Sequence, residues 1–171
     1  MQVFTTIDPK YPYGELFEIN ISACHDDDTM CLNWSSMTTF RTQEFETLAG
    51  GTLNRYPRFV ADHAGEFVIR TTAKCECEKN DGEAEITDET EIIRTRLGIT
   101  SKPTSAKIYF AFGAEEPETT HLVTPEILEL GVPTQTFGHV KLTRPGYEDK
   151  TVSVSIVEGG KSEVHIVMKH L

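Results

Sequence analysis

Polar and apolar residues alternate one for one along much of this chain. Leu16-Phe-Glu-Ile-Asn-Ile-Ser-Ala23, Glu66-Phe-Val-Ile-Arg-Thr-Thr-Ala-Lys-Cys75 and Glu83-Ala-Glu-Ile-Thr-Asp-Glu-Thr-Glu-Ile-Ile93 all carry the pattern. Successive side chains of an extended strand point to opposite faces, so a period of two sorts apolar from polar only in a β-strand. Leu32–Met37 and Thr38–Phe45, rich in Thr, Phe and Trp, read as two further strands. One stretch, Pro125-Glu-Ile-Leu-Glu-Leu130, has helical spacing, with Thr124-Pro125 as N-cap and first helical position. Six residues are too few for a helix that stands alone. The expected fold class is all-β.

Nine Phe and five Tyr in a chain that is 38% apolar are enough to seed a core. The 171 residues fit one large domain or two small ones. Leu97-Gly-Ile-Thr-Ser-Lys-Pro-Thr-Ser105, small and polar with a proline, reads as a linker or a domain junction. Charge divides at the same place, with 9 basic against 18 acidic residues over 1–98 and 7 against 9 over 99–171. Two domains, 1–98 and 99–171, are therefore expected. A formal net charge of −11 argues against a sequence-independent nucleic-acid binder, which needs cations to displace phosphate counterions. No apolar run reaches the length of a membrane-spanning helix. Met1-Gln-Val-Phe-Thr-Thr6 lacks both the basic and the apolar parts of a signal peptide, so none is expected there.

From Pro103 onward the residues follow an order that can be matched. Pro103-Thr-Ser-Ala-Lys-Ile-Tyr109 is followed by Thr124-Pro125 and Gly131, then by His139-Val-Lys-Leu-Thr-Arg-Pro-Gly-Tyr147. Lys150–Val157 and Glu163–Met168 close the series as strand-like segments, with Glu158-Gly-Gly-Lys161 reading as a hairpin turn between them. Ala106, Ile108 and Phe110 share one face, as do Val140 and Leu142, and Pro145-Gly146 suits a tight turn. This stretch resembles the PEGA domain, a small β-sandwich-like module. It departs from the family in Ser105, where Gly is usual, and in longer loops at 114–120 and 132–138. The resemblance implies a non-enzymatic structural or ligand-presenting module, with no catalytic residues to carry over.

The N-terminal part holds all four cysteines and the single tryptophan. Cys24 ends one strand, Trp34 lies on the next, and Cys75 ends a strand beyond the Asp62-His-Ala-Gly-Glu-Phe67 approach. That order looks like an immunoglobulin-like β-sandwich, with Phe67 in place of the usual corner tyrosine. The resemblance implies that Cys24, Cys31, Cys75 and Cys77 gather at one pole. Two disulfides are one reading and fit an oxidising compartment, with the pairing left open among three arrangements. A zinc ion held by the thiolates, with His25 in the place of one, is a second, although the C-x6-C and C-x-C spacings are not those of a zinc ribbon. Reduced thiols are a third. Asp26 and Asp28, within Asp26-Asp-Asp28, offer oxygens to calcium but lack the alternating spacing that wraps one cation. Eight carboxylates between Glu76 and Glu91 face Lys79 alone, and Glu83 and Glu85 point to one exposed face.

The chain carries no nucleophile elbow, zinc-protease signature or phosphate-cradling glycine loop, and its six histidines are scattered. The expectation is a non-catalytic protein without cofactor, acting on no small-molecule substrate. It is expected outside the cell or at its surface, in a cell-surface layer, a filament or a virion appendage, where its partners are other protein subunits, copies of itself included. A zinc- or calcium-dependent interaction module is the first alternative. A carbohydrate-binding module, with Tyr11, Tyr13 and Tyr56 as loop aromatics, is the second.

Overall fold

The alternation is realised as strands and turns, with no helix among the described residues. The computed structural model describes residues 2–24, 33–40, 43–49, 53–76 and 82–171. The chain divides into two units, Met1–Ile92 and Ile93–Leu171. The division thus falls before the expected break at 98/99.

In the first unit, β1 (Gln2–Thr6), β4 (Asn20–Cys24) and β7 (Leu53–Arg55) form one sheet in the order β1-β4-β7. A second sheet joins β2 (Lys10–Pro12), β5 (Asn33–Phe40), β6 (Gln43–Ala49), β9 (Gly65–Glu76) and β10 (Gly82–Ile93) in the order β2-β10-β9-β5-β6. A two-stranded ribbon pairs β3 (Leu16–Glu18) with β8 (Arg58–Val60). The core draws Ile21 from β4, Phe17 and Phe59 from the ribbon, and Phe67, Ile69 and Ile92 from the larger sheet. Tyr11 stacks on Phe17 at 4.1 Å between ring centroids, so it belongs to this core and offers no face to a sugar. Tyr13 packs against the same core, whereas Tyr56 is exposed. Three contacts fasten the N-terminal segment to β10. The Thr5 hydroxyl donates to Asp88 at 2.6 Å, the Thr90 hydroxyl to the Asp8 carbonyl at 2.8 Å, and the Glu91 amide to the Pro9 carbonyl at 2.9 Å.

The second unit is a sandwich of a three-stranded and a four-stranded sheet. Its strands are β11 (Thr95–Lys102), β12 (Lys107–Phe112), β13 (Glu118–Val123), β14 (Glu126–Gly131), β15 (Phe137–Thr143), β16 (Lys150–Ser155) and β17 (Lys161–Val167). One sheet runs β14-β11-β17 and the other β13-β12-β15-β16. Leu97, Ile99, Leu128 and Ile166 from the first meet Ile108, Val140, Leu142 and Val154 from the second, and all are buried. Ile108 pairs opposite Leu142, and Phe110 opposite Val140, which is the facing expected from their alternation. Gly146 takes a φ of 80° in the turn after Pro145, and the Tyr147 amide returns to the Arg144 carbonyl at 3.1 Å. The edge strand β13 carries a bulge. His121 has a φ of 60°, and the Thr120 hydroxyl donates to the Ile108 carbonyl at 2.8 Å.

Several sequence expectations are corrected. The presumed linker is mostly β11, the middle strand of its sheet, with Leu97 and Ile99 fully buried. Its small polar residues, Gly98 and Thr100, occupy the opposite face, and this disguised the alternation. The presumed helix at 125–130 is β14, because only Leu128 of Glu126–Glu129 is buried and pairing with β11 satisfies the backbone. The turn at Glu158–Lys161 is no hairpin: β16 pairs with β15, whereas β17 pairs in parallel with β11 in the other sheet. The run Leu16–Ala23 is two strands in different sheets, and the division placed between Met37 and Thr38 falls instead after Phe40.

Candidate interaction surface

The outer face of the β14-β11-β17 sheet forms a trough of about 610 Å³ in the second unit. Alternation builds it. With Leu97 and Ile99 turned into the core, Gly98 and Thr100 face outward from β11. Lys161, Glu163 and His165 are exposed on β17, and Ile127 is 45% exposed on β14. Gly98 stands opposite Ile127 on one side and Glu163 on the other. A Cβ at position 98 would sit 3.4 Å from Glu163 Cγ and 3.7 Å from Lys161 Cε. The missing side chain therefore leaves the floor of the trough open.

Its walls differ in chemistry. Pro125 and Ile127 make an apolar side. Opposite them, the Thr100 hydroxyl lies 2.8 Å from Nδ1 of His165, and Lys161 pairs with Glu163. The Lys161 ammonium, hydrogen-bonded to Glu163, holds that carboxyl below its usual pKa. An exposed trough with one apolar and one charged wall suits an extended peptide segment better than an enclosed small molecule.

A second surface lies in the first unit. The outward residues of β10 include Glu83 and Glu85, exposed as expected, and Glu89 and Glu91, which are exposed as well. Two of them have cross-strand partners on β9, Lys74–Glu83 at 3.2 Å and Arg70–Glu85 at 3.5 Å. Further along, Glu91 stands opposite Glu66 and Glu89 opposite the exposed Val68, leaving an acidic hollow of about 270 Å³.

Two of the four cysteines lie among the described residues. Cys24 ends β4 and Cys75 lies near the end of β9, so their strands belong to different sheets. Cys75 stands in register opposite Trp34 of β5. Cys31, Cys77, His25, Asp26 and Asp28 lie outside the described residues. The histidines that are described do not converge. His63 meets Asp62 at 2.6 Å, His139 meets the Gly113 carbonyl at 2.6 Å, and His170 packs edge-on against Tyr147.

The trough is absent from the sequence expectations. Its signal was the alternation of Leu97 and Ile99, hidden by the glycine and threonine between and beside them. Comparison with protein-family models, with curated proteins and with solved structures yields no match to this chain.

Proposed function

We propose that this chain is a non-catalytic β protein of two domains, immunoglobulin-like then PEGA-like, serving as a structural or binding subunit of an extracellular assembly. A cell-surface layer, a filament or a virion appendage are the settings that suit it, with other protein subunits as partners. One observation carries the reading. Among the described residues the first strand, β1, and the last, β17, both lie at sheet edges, and an edge strand's free row of backbone groups accepts a strand from a neighbour.

The sheet orders support the domain reading. β1-β4-β7 and β10-β9-β5-β6 follow the A-B-E and G-F-C-C′ orders of an immunoglobulin-like sandwich. Cys24 and Cys75 then fall on the strands that carry the inter-sheet disulfide, and Trp34 on the strand that carries the core tryptophan. The rival reading is a metal-dependent module, with zinc on the cysteines and His25 or calcium on Asp26 and Asp28.

Light scattering on size-fractionated protein over a wide concentration range tests the proposal. The expected result is a mass that rises with concentration, and rises less in a His165→Pro variant, which closes the β17 edge and leaves that of β1. His165 turns its amide to the outer edge of β17, where proline blocks pairing and spares the fold. A monodisperse monomer of the native sequence at every concentration counts against the proposal.

A further inference from the structure

The chain enters the second unit through β11 and leaves it through β17, and these two strands lie side by side. They run parallel, in register from Arg96 opposite Lys161 to Lys102 opposite Val167. At one end the Arg96 amide donates to the Gly160 carbonyl at 2.9 Å. At the other the Met168 amide donates to the Lys102 carbonyl at 3.0 Å. Because the strands are parallel, the point of entry at Thr95 and the point of exit at Val167 sit at opposite ends of this ladder. Tension between them runs along the strands and across the hydrogen bonds, loading every rung together. An antiparallel pair pulled at adjacent ends would open one rung at a time.

We propose that the second unit is a tension-bearing module whose mechanical clamp is the β11–β17 ladder. The side chains reinforce the backbone. Leu97, Ile99 and Ile166 are buried in the core, so sliding one strand past the other drags apolar groups out of it. A slip of a single residue would turn each of them to the solvent face. On the opposite edge β11 is also held by β14, from Ile99 opposite Glu126 to Thr95 opposite Gly131. The short tail past β17 is tied separately, with the Leu171 amide on the Gly146 carbonyl at 3.0 Å and Tyr147 bridged to His170. That tail peels away before the ladder is loaded. The clamp is a property of the unit alone, whereas its use in an assembly rests on the function proposed above.

Single-molecule force spectroscopy on the full chain tests the clamp. In one arrangement the handles sit at the two chain termini. In the other the second handle sits at exposed Glu158, in the turn before β17, so both pulling points lie at the same end of the ladder. Release of about 240 Å of chain in the first arrangement identifies the second unit, from the reach of an extended backbone. The expected lifetime at a fixed force is longer between the termini by about tenfold or more, the effect of adding one or two rungs to the barrier. Equal lifetimes in the two arrangements overturn the proposal. Val164→Pro removes an amide that the alternation of the parallel ladder turns toward β11, so it is expected to shorten the lifetime between the termini. Val167→Pro, whose amide by the same alternation turns away from β11 and whose side chain is exposed, is expected to leave that lifetime unchanged. If Val164→Pro does not fold, the two arrangements applied to the native sequence still decide. A strictly monomeric protein that resists shear keeps the clamp and removes the assembly, and an assembling protein with equal lifetimes does the reverse.

Discussion

Thr124→Val replaces one hydroxyl with a methyl of nearly the same size, and the hydroxyl holds together a buried polar cluster. Thr124 and Ser101 are buried, at 1% and 5% exposure. The Ala106 amide donates to the Thr124 hydroxyl at 3.1 Å, and the two hydroxyls are 2.5 Å apart. The Ser101 hydroxyl in turn donates to the Pro103 carbonyl. The hydrogens therefore have one consistent order, from Ala106 to Thr124 to Ser101 to Pro103. Valine strands the Ala106 amide, on a residue with no exposure at all. A buried donor without an acceptor costs about 1–3 kcal/mol, and the lost bond to Ser101 adds about 1 kcal/mol. The methyl returns about 0.8 kcal/mol of apolar transfer. The net loss is about 2 kcal/mol, which lowers the Tm of a domain of this size by roughly 8–16 °C. Hydrogen exchange read by mass spectrometry on peptides covering β11, β12 and β15, together with calorimetry, measures the change. Ser101→Ala in the same background should cost less than it does alone, because its partner is already gone. A Thr124→Val protein as stable as the native one would refute the reasoning.

Three further outcomes are expected. Gly138→Ala places a Cβ 2.7 Å from the Ala111 carbonyl oxygen and 2.8 Å from the Phe110 ring, so β15 must shift, and chemical denaturation should register a loss of about 1–3 kcal/mol. Lys161→Met should raise the pKa of Glu163 toward that of a free carboxylate in an NMR titration. The native Glu163 is depressed, so its contribution to stability is present above the unfolded carboxylate pKa and is lost as pH falls through the folded one; the variant should show less of that dependence. Intact mass after alkylation without reductant should fall short of the reduced mass by about 4 Da with no label, as two disulfides require. Four labelled thiols with stoichiometric zinc would favour the metal-binding reading.

Strands with a polar residue at every second position were legible. Residues 66–75 and 83–93 fall within β9 and β10, and Ile108, Val140 and Leu142 are the core residues their alternation marks. What failed to show was which strand pairs with which. Glu158-Gly-Gly-Lys161 has the composition of a hairpin, yet a chain passing from one sheet to the facing one needs the same residues. Only the parallel seat beside β11, formed by residues more than fifty positions earlier, decides between them. β14 was hidden for a similar reason. Ile127 and Leu128 are adjacent, and one of the two is left exposed for the trough, so the apolar residues do not alternate. The trough needs β11, β14 and β17 together, so no single segment announces it. Exposed Glu83 and Glu85, by contrast, were readable from their own strand alone.

The pairing of β11 with β17 also has a consequence for synthesis. Fifty-eight residues, 103–160, must be added after β11 is complete before β17 begins. At about 5–20 residues per second, that is about 3–12 s of translation. Throughout that interval one side of β11 has no strand beside it, although β14 can already cover the other. Leu97 and Ile99 wait for Ile166 to complete their surroundings. The nascent chain is thus most open to mispairing along that bare side. Slowing translation between Gly131 and Lys161 lengthens the exposure, and a chaperone acting on this protein finds its extended apolar target there.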